Sequence, residues 1–310
     1  MSFVYGPVPS RRLGQSLGID PIPSKTCNYN CVYCQLGRTR LLTNERKDFF
    51  PPECILAEVE SSLTAHKSGD IDCVTFVGQG EPLLCHSLGV LIRRVKAVSD
   101  LPVAVITNGS LLWQPEVQQE LQAADIVMPS LDCVDESTFR TQFRGRLWVE
   151  VMLLQGVNDG EPALFRLRDA LAFLRPDQVH LNVPIRPPAE SWVEPPDEEG
   201  LMRAVAILGE AATVVAPYEG SFDLSRNLPL GEAILEVIQR HPMRQEEVLR
   251  TLSDLPSSVV ETALAELEAE GRARRVEFRG HVFWRHTTVP PADNPDDTEG
   301  QSRRGRAMSS

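Results

Sequence analysis

Residues 25–37 read KTCNYNCVYCQLG and place three cysteines, Cys27, Cys31 and Cys34, in a C-x3-C-x2-C spacing. A structural zinc or an electron-transfer cluster is normally closed by four protein ligands, so a triplet that stops at three describes a metal site with one position left open. No fourth Cys or His lies close by in the chain. An open position is where a substrate or cosubstrate can bind. Read on the cysteines alone, a structural zinc completed from elsewhere stays an alternative.

Working outward, short apolar runs that end in glycine or polar turns alternate with helical periods. The strand candidates are GQSLGIDPI ahead of the cysteines, then DCVTFVGQGEP, LPVAVITNGS, ADIVMPSLD, LWVEVMLLQGVND and VHLNVPIRPP. Between them PPECILAEVESSLTAH, HSLGVLIRRVKAVS, QPEVQQELQAA and EPALFRLRDALAFL read as helices, the first opening on Pro51 and Pro52 and repeating Ile55, Val59 and Leu63 at a spacing of four. Six strands alternating with helices predict parallel βαβ units in a partial (β/α)6 barrel, whose site lies at the carboxyl ends of the strands. The link DCVDESTFRTQFRGR between the fourth and fifth strands leaves room for a helix of about two turns.

From about Leu228 the pattern changes. LPLGEAILEVIQRHP, RQEEVLRTLS and PSSVVETALAELEAEG read as three helices, and RARRVEFRGHVFWRHT as a hairpin about Arg279-Gly280, a winged-helix pattern. The domains expected are a barrel over 1–222, a winged-helix-like domain over 228–288 and a disordered, Pro-rich polar tail over 289–310. The third helix carries Glu261, Glu266, Glu268 and Glu270 without Lys or Arg, which argues against DNA in its path. The hairpin carries Arg272, Arg274, Arg275, Arg279 and Arg285, so a wing contact to RNA or an acidic partner and a solvated basic edge both stay open; packing or protein docking is the leading expectation.

Thirty-one basic against 43 acidic residues give a net charge of −12, which works against broad attraction to nucleic acid or an anionic membrane. The amino terminus MSFVYGPVPSRR has no apolar stretch behind its charges, and no later run approaches the ~18 residues that span a bilayer. A cytoplasmic location is expected. Seven cysteines without an export signal do not describe a disulfide framework; Cys54, Cys73, Cys85 and Cys133 stand apart as ordinary thiols.

The triplet, with Tyr33 before its last cysteine, resembles the signature of the radical S-adenosylmethionine (radical SAM) superfamily. GQGEP (Gly78 to Pro82) resembles that family's glycine-glutamate-proline motif, and TNG (Thr107 to Gly109) and SLD (Ser130 to Asp132) stand where its later strands end. Within the superfamily, GPVPSRRLGQSLGIDPIP, GVND and PIRPPAE resemble the group that holds wyosine-type tRNA-modifying enzymes and related bacterial iron-sulfur oxidoreductases. The resemblance covers roughly residues 5 to 220. Two features depart from that group: the short link between the fourth and fifth strands, and the lack of cysteines ahead of Cys27.

The resemblance implies a [4Fe-4S] cluster on Cys27, Cys31 and Cys34, with S-adenosylmethionine as the missing ligand. It implies reductive cleavage of that cosubstrate to a 5'-deoxyadenosyl radical, an electron from a reductase such as flavodoxin or ferredoxin, and hydrogen abstraction from an unidentified substrate: RNA, peptide or small metabolite. Gly78, Gly80 and Glu81 are expected at the amino acid moiety. Tyr33 is placed either near the adenine or in plain packing; Asn108, Ser130 and Asp132 bind ribose or carboxylate or cap their turns.

Alternation adds a reading from the residues themselves. In VHLNVPIR, Val179, Leu181, Val183 and Ile185 share one face, and His180, Asn182 and Arg186 the other, which places Asn182 or Arg186 either against cosubstrate or substrate or in a solvated or salt-bridged position; Glu150 shares a face with Trp148 and Met152. Arg11 and Arg12 either clamp an anion or lie on the surface. Cys133 is a hydrogen-atom donor or a plain cysteine. The competing function is a cysteine-ligated iron-sulfur or zinc sensor that binds DNA through the winged helix; it leaves GQGEP, TNG and the βαβ alternation without a role.

Overall fold

The computed structural model describes residues 2–67, 69–131, 145–209, 212–215 and 228–287. In chain order the elements are β1 (Val4–Ser10), β2 (Gly14–Ile19), β3 (Thr26–Cys27), β4 (Leu41–Leu42), α1 (Pro52–Ala65), β5 (Cys73–Phe76), a 3-10 turn at Pro82–Leu84, α2 (Leu88–Val98), β6 (Val103–Thr107), α3 (Pro115–Leu121), β7 (Ile126–Pro129), β8 (Arg146–Met152), α4 (Glu161–Leu174), β9 (Gln178–Asn182), α5 (Glu198–Leu208), β10 (Ala212–Val214), α6 (Leu230–Arg240), β11 (Met243–Arg244), α7 (Gln245–Thr251), α8 (Ser257–Ala269), β12 (Ala273–Phe278) and β13 (His281–His286).

Among the described residues eight strands form one sheet in the order β1-β2-β5-β6-β7-β8-β9-β10. Every neighbouring pair is parallel except β1 with β2. The fold is α/β with a mostly parallel sheet, and the six expected strands are β2 and β5 to β9. Several short elements escape the sequence reading, among them β1, α5 and β10. The strand β1 holds Pro7 and Pro9, tolerable because β1 is an edge strand. The helix α5 carries Gly200 in its first turn, a poor helix former held there because its N–H donates to the Asp197 cap at 2.8 Å. The strand β10 has only three residues.

Alternation sorts the sheet into two faces. Leu17, Ile19, Val74, Phe76, Val105 and Val127 pack with Ile55, Leu91 and Val117 of the helices. Leu147, Val149, Val151, Val179 and Leu181 pack with Leu164, Leu167 and Ala204 of α4 and α5. The opposite, interior face is closed at one end by Leu13, Cys73, Ala104, Ile126, Met128 and Trp148. Phe76 is wholly buried. Phe76→Ala therefore costs about 3–5 kcal/mol, read as a lower denaturation midpoint with unchanged slope.

The carboxyl-terminal segment builds its own core from Ile234, Leu235, Ile238, Val248, Val260, Leu264, Leu267 and Trp284. The expected hairpin is present as β12 and β13, with Arg279 and Gly280 both at positive φ, the geometry of a two-residue turn that follows the strands' twist. Its partner β11 adds a third strand. This segment docks on the sheet: Arg240 donates to the Ser2 carbonyl at 3.0 Å and lies over the Tyr5 ring, and Gln239 donates to Gln79 at 3.2 Å. The expected tail over 289–310 lies outside the described residues, as does most of the link between β7 and β8.

Candidate functional site

The cysteine loop leaves β2 and is tied off by the short parallel pair β3 and β4, where Thr26 faces Leu41 and Cys27 faces Leu42. Two turns carry it through the triplet: the Cys34 N–H donates to the Cys31 carbonyl at 3.1 Å and the Gly37 N–H to the Cys34 carbonyl at 3.0 Å. Thr39 fastens its far side, donating through its N–H to Asn30 and through its hydroxyl to the Tyr29 carbonyl. All three cysteines and Tyr33 are half-buried, and the thiols form no disulfide. Burial pushes the Cys27 and Cys34 thiols up; for Cys34 the Leu36 N–H, Lys25 and Arg285 pull the other way. Bound as thiolates to a metal, they would release their protons.

GQGEP follows β5 and lies against this loop. The Lys25 N–H donates to the Gln79 carbonyl at 2.6 Å and the Glu81 N–H to the Thr26 carbonyl at 3.1 Å. A methyl group on Gly80 would collide with the Thr26 carbonyl, and one on Gly78 with the Asp20 carboxylate. Close approach of backbone to backbone requires the glycine at 80, while at 78 the near atom is the end of the Asp20 side chain. Glu81 is buried and accepts from the Leu83 N–H at 3.0 Å, the Thr107 hydroxyl at 2.6 Å and the Asn108 N–H at 2.7 Å. Its carboxylate joins the ends of β5 and β6 and is turned to the chain.

Asn108 carries the linkage on to the cysteines. Its amide donates to Asn28 at 2.7 Å and lies 3.7 Å from the Cys27 sulfur, while its carbonyl accepts from the N–H and hydroxyl of Ser110. Asn28 in turn donates to Ser110 at 2.5 Å. Neither Asn28 nor Ser110 was singled out from sequence, although both flank residues that were. A second contact reaches the loop from beyond β9, where the Glu190 N–H donates to the Val32 carbonyl at 3.1 Å and its carboxylate pairs with Arg38 at 2.9 Å.

On the interior face β8 and β9 bring the polar residues together as alternation predicted. Arg12 forms a largely buried ion pair with Glu150, which also accepts from Asn182 at 3.2 Å. His180 stacks edge-on against Trp148 at 5.6 Å, and burial, then Arg12 and Arg11, lower it to about 4, so its imidazole is neutral. Among the described residues the Asn182 side-chain oxygen Oδ1, His180 Nε2 and Trp148 Nε1 are buried without a hydrogen-bond partner. Ser130 is half-buried beside Glu150, its N–H given to the Thr107 carbonyl at 2.9 Å. Asp132 and Cys133 lie outside the described residues.

Asp20, which the sequence reading passed over, ends β2 beneath Gly78. Burial raises its carboxyl to about 6, against the pull of Arg240 and the Gln79 N–H. A carboxyl raised above its unfolded value binds more protons when folded, so its contribution to stability is present below about pH 4 and is lost as pH rises through 6. The buried histidines His180 and His241, both lowered, act with the opposite sign, and Glu81, raised to about 7, with the same sign. The difference between the wild type and Asp20→Asn isolates Asp20. The wild type loses roughly 3 kcal/mol relative to the variant between pH 4 and 7, measured by urea unfolding at each pH.

A UPF0026 protein of Methanocaldococcus jannaschii is 35% identical to the chain across 92% of it and 96% of that protein. A family model described as the radical SAM superfamily matches residues 22–157. The chain belongs to the radical SAM superfamily. A UPF0026 protein of Helicobacter pylori strain J99 is 30% identical over 85% of this chain and 92% of its own length. Among solved structures, a radical SAM methyltransferase from Sphaerobacter thermophilus aligns over 64% of this chain and 66% of that one, at 17% identity and a TM-score of 0.45.

As a radical SAM enzyme the chain works with a [4Fe-4S] cluster and S-adenosylmethionine. Its residues fit both. The loop from Cys27 to Cys34 offers three thiols and no carboxylate or imidazole, a donor set suited to iron and sulfide. Among the described residues no three Cys, His, Asp or Glu side chains converge as they would round a single ion. The buried, unpartnered polar atoms of Trp148, His180 and Asn182 suit a polar ligand on the interior face. No helix among the described residues is long and apolar enough to cross a membrane.

Proposed function

We propose that this radical SAM enzyme holds its cluster on Cys27, Cys31 and Cys34, leaving the fourth iron to the amino and carboxylate groups of S-adenosylmethionine. What the bound pair supplies is reductive cleavage of the cosubstrate to a 5'-deoxyadenosyl radical that takes a hydrogen atom from the substrate. The observation that carries this reading is the chain of contacts from the Cys27 sulfur through Asn108 to the buried carboxylate of Glu81. It aligns the triplet with the carboxyl ends of β5 and β6, where a parallel sheet places its chemistry.

The chain's own residues orient and exclude water. Glu81 is a positioning residue that fixes Thr107 and Asn108. Gly78 and Gly80 let GQGEP lie against the loop, Tyr33 shields the adenine side, and Ser130, Asp132 and Asn182 offer polar contacts to the cosubstrate. Residues 1–222 form the partial (β/α)6 barrel and 228–288 a winged-helix domain that closes it. A flavodoxin or ferredoxin provides the electron. Membership in the wyosine-type group rests on the sequence motifs alone, so RNA, peptide and small metabolite all stand as substrates.

A DNA-binding sensor is the weaker reading. Two arginines of the basic hairpin are already paired within the domain, Arg272 with Glu232 at 2.8 Å and Arg275 with Glu268 at 2.9 Å. A third, Arg285, donates to the Gln35 carbonyl at 2.9 Å, which turns it to the cluster loop. The test is anaerobic reconstitution with iron and sulfide, addition of S-adenosylmethionine and dithionite, and mass spectrometry of 5'-deoxyadenosine. The reading expects dithionite-dependent formation. A fully loaded protein that binds duplex DNA with steep salt dependence and forms no deoxyadenosine would favour the sensor.

A further inference from the structure

The interior face opens into a cavity of about 280 Å³ whose lining is basic, with Arg11, Arg12 and Arg186 around it and the Ser16 and Thr75 hydroxyls on its wall. The volume suits a small molecule or one end of a larger one. Among the described residues the Arg11 Nη1 and Arg12 Nε atoms are buried without a partner. Among the described residues no carboxylate pairs with Arg11, and the charge of Arg12 is met by Glu150. Among the described residues Arg186 donates to neutral groups, the Pro242 carbonyl at 3.1 Å and Gln35 at 3.4 Å. The carboxylate that lines the cavity, Glu247, accepts from the Arg244 N–H and caps α7, and Arg250 is also on the wall.

We propose that this cavity seats an oxyanion of the substrate, a phosphate ester or a carboxylate, clamped by Arg11 and Arg186. The inference rests on the proposed radical SAM reaction. Guanidinium groups gathered in a poorly hydrated cavity repel one another and cost several kcal/mol unless something compensates them. Burial, with mutual repulsion, lowers Arg12 to about 9, and Arg186 to about 10 even with Glu247 near it. An oxyanion is the complement: the planar fork of an arginine matches carboxylate and phosphate oxygens two at a time. Position agrees, because Gln35, which follows Cys34 directly, lines the same cavity. An anion held there brings its attached carbon beside the cluster loop.

The experiment is calorimetric titration of the reconstituted full chain, without reductant and with S-adenosylmethionine saturating, by inorganic phosphate and separately by succinate at fixed ionic strength. Saturable binding of at least one is expected, and which one binds separates a phosphate ester from a carboxylate. Binding weakens about tenfold or more in Arg11→Gln and in Arg186→Gln, and is retained in the surface variant Arg168→Gln. Circular dichroism and iron content check each variant; should one misfold, the other carries the comparison. The proposal is overturned if neither anion saturates, if both variants bind as the wild type does, or if S-adenosylmethionine displaces the anion. Because no turnover is needed, anion binding without deoxyadenosine would fail only the proposed reaction. Deoxyadenosine without anion binding would fail only this site.

Discussion

Cys31→Ala leaves reconstituted protein with iron and sulfide near background and with no dithionite-dependent 5'-deoxyadenosine, and Cys27→Ala and Cys34→Ala do the same. Cys54→Ala, an exposed thiol on α1, keeps wild-type values for both. The size of the effect follows from the donor count. A cube held by three thiolates has no spare protein ligand, and the loop from Cys27 to Cys34 contains no carboxylate or imidazole to stand in. Cys73 and Cys85 cannot substitute either, since both are buried and burial raises their thiols to about 11 and about 12. Iron, sulfide and the visible absorbance of the cluster are the measurements. Full cluster loading in any of the three variants would sink the assignment of that cysteine.

Glu81→Ala destabilises the protein by roughly 4 kcal/mol and lowers cluster loading even though Glu81 touches no sulfur. The carboxylate accepts from Leu83, Thr107 and Asn108 in a site closed to water, so its removal leaves three donors without acceptors. Asn108 then loses the backbone anchor that holds its amide near Cys27 and Asn28. Glu81→Gln keeps one carbonyl acceptor and turns an amide toward the other donors, so an intermediate loss is expected. Urea unfolding of the apoprotein and iron content after reconstitution read the two effects separately. Unchanged stability in Glu81→Ala would show that the carboxylate is not the tie between β5 and β6 that its hydrogen bonds describe.

Much of the fold is legible in the chain because its signals are local. The strand VTF in β5 and the alternation of Trp148, Glu150 and Met152 against Leu147, Val149 and Val151 each declare a period within a few residues. The hairpin at Arg279-Gly280 does so too. What escaped has a physical cause. The edge strand β1 is built with prolines that would break a central strand, and α5 begins across a glycine that only its Asp197 cap makes acceptable. For the site, the sequence names the cysteines, Glu81, Asn108 and Asn182 as candidates but gives no sign of Asn28, Ser110 or Asp20, whose hydrogen bonds run to partners distant in the chain.

By itself the sequence determined the class of chemistry: three cysteines at a fixed spacing with no fourth, an α/β alternation, and the order of GQGEP and TNG along the chain. These are properties of neighbours in the chain, set by ligand geometry and backbone period. Only the tertiary structure decided what each polar side chain faces. Glu81 and the glycines near it turn out to be held by the chain itself. Arg11 from the β1–β2 turn and Arg186 from beyond β9 are 175 residues apart in sequence and line one cavity, because the fold brings these two distant stretches of chain together. Burial without a partner is a property of that enclosure, and no stretch of sequence read alone contains it.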